Sequence, residues 1–154
     1  MTTQQIQQLL DTTRFTSCQE QDKAKQMLSE AFPDAKFHFY EDWYSSALPK
    51  IEASKIWLIL HQETELYKLL ENVSEASEMP IEKIRSKSRK VDVIAARVLF
   101  AKEAQKMGRR HEDIGMYINL SRPDVTYLLG RNYQPHEYYL QYEKQLKNNS
   151  SPTH

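Results

Sequence analysis

A chain of 154 residues suffices for one ordinary domain, or for a small domain of about 70–80 residues with an accessory region, and leaves no room for two full-sized ones. The formal charge of zero averages segments of opposite sign: residues 81–111 hold ten Lys or Arg against three carboxylates, a surplus of seven, while residues 1–80 hold seven bases against thirteen acids, a deficit of six. The lone Cys18 excludes an internal disulfide framework, and neither a signal-peptide pattern nor a bilayer-length apolar run occurs, so a reducing, cytoplasmic location with no membrane partner is expected.

Three glycines and mostly helical periodicities predict a mainly α fold. Residues 5–12 and 19–31 read as short amphipathic helices, the second stopping near Phe32-Pro33. The segment DAKFHFYEDWY (34–44) alternates as a strand would, or forms an aromatic loop. Residues 51–72 read as a long helix interrupted around His61, although KIWLIL also suits a buried strand. Leu66, Leu69, Leu70, Val73 and Ala76 recur at helical spacing until EMP, and Ile81 with Ile84 forms one further apolar turn.

The basic stretch RSKSRK then leads into a helix over about 91–107, whose Val91, Ile94, Ala95, Val98, Leu99, Ala101 and Ala104 predict the centre of a helical bundle closed by Gly108. A short helix is expected at 111–118, a turn at Asn119-Leu120-Ser121, and a helix at 122–130 with Ser121 as N-cap, Pro123 in its first turn and Asp124 completing S-x-x-D. Helix, three-residue turn and capped helix are the parts of a helix-turn-helix. Residues 135–146 predict one tyrosine-rich helix before a disordered tail. The resulting organisation is an accessory or interaction region of uncertain fold at 1–62, a domain with the helix-turn-helix at 63–131, and the tyrosine-rich helix with its tail at 132–154.

Catalytic chemistry finds no support. The five histidines never fall at i, i+3 or i+4 from one another, no cysteine pair exists, and a P-loop is absent, so no catalytic site, metal or cofactor is expected. The carboxylate pairs Glu41-Asp42 and Glu112-Asp113 read as solvated surface or helix N-terminal charge. Arg85, Lys87, Arg89 and Lys90 instead place phosphate-binding charge ahead of a core helix and close in sequence to a helix able to enter a major groove. Arg97 lies within that apolar helix, where an unpaired guanidinium would cost several kcal/mol. It must therefore snorkel, pair internally or face a partner.

The segments PIEKIRSKSRKVDVIAARVLFAKEA (80–104) and DIGMYINLSRPDVTYLL (113–129) resemble the C-terminal DNA-binding domain, domain IV, of the bacterial replication initiator DnaA, whose fold is Trp-repressor-like. The family's Val-x-x-Leu turn, its Ser-Lys-Ser-Arg-Lys and its helical Ala-Arg align without gaps on Ile81–Ile84, Ser86–Lys90 and Ala96-Arg97. The resemblance spans roughly residues 66–131. It implies double-stranded DNA as partner, with Lys87, Ser88, Arg89, Lys90 and Arg97 on the backbone and Asn119, Ser121, Arg122, Asp124 and Tyr127 toward the major groove. Six or so neutralised phosphates imply a log–log salt slope of about −5.

The departures from the family pattern concern base reading. Arg122-Pro123-Asp124 stand where the family has His-Thr-Thr, the turn is one residue shorter, Gln105 replaces a cation, and the ATPase domain that precedes this one in the initiator has no counterpart. A nucleoid-associated regulator of replication or transcription is thus expected, its residues 1–62 forming a homodimer or recruiting a protein. The alternative is an adaptor that keeps the fold without base recognition and binds protein through Phe37, Phe39, Tyr40, Trp43, Tyr44 and Trp57. An RNA module is disfavoured, since no sheet-borne stacking aromatics are evident.

Overall fold

Thr2 opens the chain's first helix through a capping box in which its hydroxyl accepts from the Gln5 amide and the Gln5 side chain accepts from the Thr2 amide. The computed structural model describes residues 2–39, 48–130 and 136–150, and divides the chain into two compact units, Met1–Gln62 and Glu63–His154. Nine helices and two very short strands occur among the described residues, so the molecule is mainly α.

The first unit contains α1 (Thr3–Thr12), β1 (Arg14–Phe15), α2 (Cys18–Ala31), β2 (Lys50–Ile51) and α3 (Ala53–Leu60). The strands pair in parallel with Arg14 opposite Lys50 and Phe15 opposite Ile51, a ladder the sequence pattern does not announce. Ser17 caps α2, and Glu20 in its first turn accepts a hydrogen bond from the Ala53 amide that begins α3. One carboxylate therefore joins two helix N-termini, where negative charge is favoured. The core is formed by Ile6, Leu10, Phe15, Ala24, Leu28, Ile51, Ala53 and Ile56. Residues 35–39 are neither helix nor strand, and residues 40–44 of the expected strand or loop lie outside the described residues. The expected interruption near His61 separates α3 from the next helix.

The second unit comprises α4 (Glu65–Ser77), α5 (Ile81–Ile84), α6 (Val91–Lys106), α7 (His111–Ile118), α8 (Arg122–Leu128) and α9 (Glu137–Ser150). Helix α6 packs against all five others and buries Val93, Ala95, Ala96, Val98, Leu99, Phe100, Ala101 and Ala104, surfaces too evenly apolar for one face alone. Val91, expected in the core, is instead 49 % exposed in the first turn. Gly108, at φ +78°, ends α6 in a Schellman arrangement: its amide donates to the Gln105 carbonyl and that of Arg109 to Ala104. Helix α9 is no appendage. It packs on α4 and α6 and buries Tyr139, Tyr142 and Leu146. Burial, followed by the charges of Asp92 and Tyr138, raises the Tyr142 hydroxyl above its ordinary pKa.

Candidate nucleic-acid interface

The ten cations of residues 81–111 separate into distinct environments. Arg97 is only 5 % exposed. Its Nε donates to the Ile84 carbonyl at 2.7 Å and one terminal nitrogen to the Ser88 carbonyl at 2.6 Å, while the other donates to the Ser86 carbonyl. The guanidinium thus pins both ends and the middle of the basic loop to α6. Burial lowers its pKa, and the three carbonyl dipoles offset that desolvation. The expected contact of Arg97 with a DNA backbone is corrected: the side chain is consumed inside the unit, because a fork of donors satisfied by main-chain carbonyls leaves no charged head at the surface.

Arg85 is 7 % exposed and donates to the carbonyls of Met116 at 3.3 Å and Tyr117 at 2.9 Å in the last turn of α7, where a cation complements the helix dipole. The remaining paired cations lie at the far end of α6 and the start of α7. Lys106 meets Glu103, Arg109 meets Glu65, and Arg110 meets Glu112 and Asp113. The Asp113 hydrogen bond, with the charges of Asp113 and Glu112, holds the Arg110 guanidinium above its usual pKa. Lys102 lies over the Tyr139 ring, 5.0 Å from its centroid. What is left is Lys83, Lys87, Arg89 and Lys90, exposed and with no carboxylate partner among the described residues.

The serines of RSKSRK shape this loop. Ser86 Oγ donates to the Lys83 carbonyl at 2.6 Å and accepts from the Ser88 amide, and Ser88 Oγ accepts from the Lys90 amide. Such short side-chain-to-backbone bonds favour turns over helix, so α5 stops and α6 starts with cations between them. Ser88, expected on the DNA backbone, accepts from the Lys90 amide with its hydroxyl oxygen and from Arg97 with its carbonyl.

The loop adjoins the connection between α7 and α8, where the Asn119 side-chain Nδ2 donates to the Arg85 carbonyl at 3.4 Å. Asn119 takes the left-handed conformation (φ 59°, ψ 40°) that caps α7, a role Asn tolerates better than most residues. Ser121 Oγ accepts from the Asp124 amide, as its N-cap reading requires. Asn119 and Ser121, expected as groove contacts, also hold the turn, Asn119 with one side-chain N–H and Ser121 with its hydroxyl oxygen. Beyond them Arg122, Asp124 and Tyr127 are exposed, Tyr127 at 84 %.

A link missed in the sequence steadies α8 against α7: His111 Nδ1 lies 2.8 Å from Thr126 Oγ1, which donates to the Arg122 carbonyl. With the hydroxyl proton used there, Nδ1–H is the donor toward Thr126. Only spatial adjacency reveals this pair, fifteen residues apart. Among the described residues no group of acids, His or Cys is arranged to hold a metal, and no helix is long and apolar enough to cross a membrane. Comparison with protein-family models, curated proteins and solved structures finds no match for the chain.

Proposed function

We propose that the second unit binds double-stranded DNA, with α7 and α8 acting as a helix-turn-helix of the kind found in domain IV of DnaA, and that the protein regulates replication or transcription. One observation carries this reading: among the described residues, the exposed cations of 81–111 without a carboxylate partner gather on α5 and the loop after it, which is hydrogen-bonded to the turn that precedes an exposed, capped helix. Lys87, Arg89 and Lys90, with Lys83 just before them, grip phosphates. Arg122 and Asp124 at the start of α8 face base edges, where an arginine fits guanine and a carboxylate accepts from cytosine. Tyr127 offers an exposed ring one turn further. Arg97 and Arg85 act behind this surface as positioning residues.

With five exposed cations counted, Arg122 included, the log–log salt slope is expected near −4.5. Fluorescence anisotropy of the full chain with a random-sequence duplex pool, titrated at several salt concentrations, measures it. The Lys87→Ala/Arg89→Ala/Lys90→Ala variant is expected to flatten the slope by about 2.7 and to weaken all sequences alike. Arg122→Ala is expected to shift sequence preference by about 1–3 kcal/mol at one base pair. Absence of binding by the folded wild type at low salt would remove the reading.

A further inference from the structure

The first unit carries a groove of about 530 Å³ between α2 and residues 35–39, lined by Gln21, Lys25, Leu28 and Ser29 on one side and by Lys36 to Phe39 on the other. Among the described residues no carboxylate lines it, although residues 1–62 contain eight acids against six Lys and Arg. Lys25 and Lys36 are exposed, and Lys25 Nζ sits 5.3 Å from the centroid of the Phe39 ring, which forms part of the wall.

The wall opposite α2 has the periodicity of extended chain. Phe37 and Phe39 are half-buried against the core, each in contact with another ring, Phe32 and Phe15 respectively, while Lys36 and His38 point outward. The two aromatics are therefore core-facing, not the displayed surface expected of an adaptor. Both main-chain groups of His38 are taken by one side chain: its amide donates to Gln7 Oε1 at 2.9 Å and its carbonyl accepts from Gln7 Nε2 at 3.3 Å. In an extended segment the neighbouring residues turn their amides and carbonyls to the opposite edge. The main chains of Phe37 and Phe39 form no hydrogen bond among the described residues.

We infer that this groove docks an extended acidic peptide from a protein partner, pairing its main chain with Phe37 and Phe39 and its carboxylates with Lys25 and Lys36. Strand addition to an unpaired edge supplies main-chain hydrogen bonds, and side-chain pockets on alternate residues supply selectivity. The unpaired amides and carbonyls favour a polypeptide over a DNA strand, whose sugar-phosphate backbone offers no donors to match the carbonyls. The inference is independent of DNA binding by the second unit.

The test is selection of phage-displayed random dodecapeptides on the full chain, followed by anisotropy with the enriched peptides. Peptides with a surplus of Asp and Glu are expected. Lys25→Glu/Lys36→Glu should weaken them at least about tenfold, since like charge then faces like charge. N-methylation of alternate peptide amides should abolish binding, and duplex-DNA affinity of the double variant should stay unchanged. Both lysines are exposed, so the variant is expected to keep the wild-type circular dichroism spectrum and melting temperature. No enrichment, enrichment of peptides without acidic surplus, equal affinity for the double variant, or displacement of the peptide by a single-stranded oligodeoxynucleotide through the same lysines would each overturn the inference.

Discussion

Arg97 illustrates how a single side chain can be misassigned from its neighbours in sequence. Placed within an apolar helix beside four cations, it reads first as a phosphate contact, with an internal pairing as the alternative, and nothing local excludes the second. The decision comes from three carbonyls at residues 84, 86 and 88, which the guanidinium reaches from three separate nitrogens, where an ammonium would have to reach all three from one. Arg97→Lys retains the charge and loses the fork, so it is expected to cost about 2–4 kcal/mol in chemical denaturation, close to the cost of Arg97→Gln. A phosphate contact would leave the Lys variant nearly as stable as wild type. By contrast, Ser121, Asp124 and Gly108 were legible in sequence because capping is a local pattern, complete within three or four residues.

At the level of elements, the connection between α7 and α8 is set by Gly115. A Cβ built there would stand 2.2 Å from the Leu120 carbonyl oxygen, a backbone atom that cannot swing aside. The turn closes this tightly because the Leu120 amide donates to the Gly115 carbonyl at 2.9 Å. Gly115→Ala is expected to lose about 1–3 kcal/mol of stability and to misplace α8, measurable as a lowered urea midpoint together with weakened duplex binding.

The end of α4 offers the opposite case. Glu78 is exposed and holds the left-handed conformation (φ 53°, ψ 40°) that glycine adopts without steric cost. Glu78→Gly is expected to raise stability by about 0.5–1 kcal/mol, read from the same denaturation curve. The helices of the second unit were visible from their 3.6-residue period. The two-residue strands β1 and β2 were not, since a pairing this short has no periodicity and joins residues 36 apart in sequence.

For the whole molecule, the division after Gln62 and the attachment of α9 decide what can be cut away. A boundary drawn at 131 from motif content alone leaves out a helix whose Tyr139, Tyr142 and Leu146 are buried on α4 and α6. The sequence suggested that helix by its tyrosines but gave no sign of where it docks, because docking depends on which face of α6 the other helices leave uncovered. A fragment 63–130 is expected to be several kcal/mol less stable than 63–154, at on the order of 1.5–3 kcal/mol for each large buried side chain lost. Differential scanning calorimetry of the two fragments checks this. Equal melting temperatures would mean that α9 contributes nothing to the fold.

The inward turn of the loop carbonyls has an electrical consequence. Every peptide unit is a dipole, and in this loop the negative ends at Ile84, Ser86 and Ser88 are turned toward Arg97, while Ser86 Oγ covers that at Lys83. Three carbonyl oxygens are thereby withdrawn from the outer face of the loop, where the ammonium and guanidinium groups of Lys87, Arg89 and Lys90 are exposed. The buried arginine acts as a counterweight: held inside the unit, it collects these oxygens and leaves the outer side of the loop more positive than it would be with them turned to solvent.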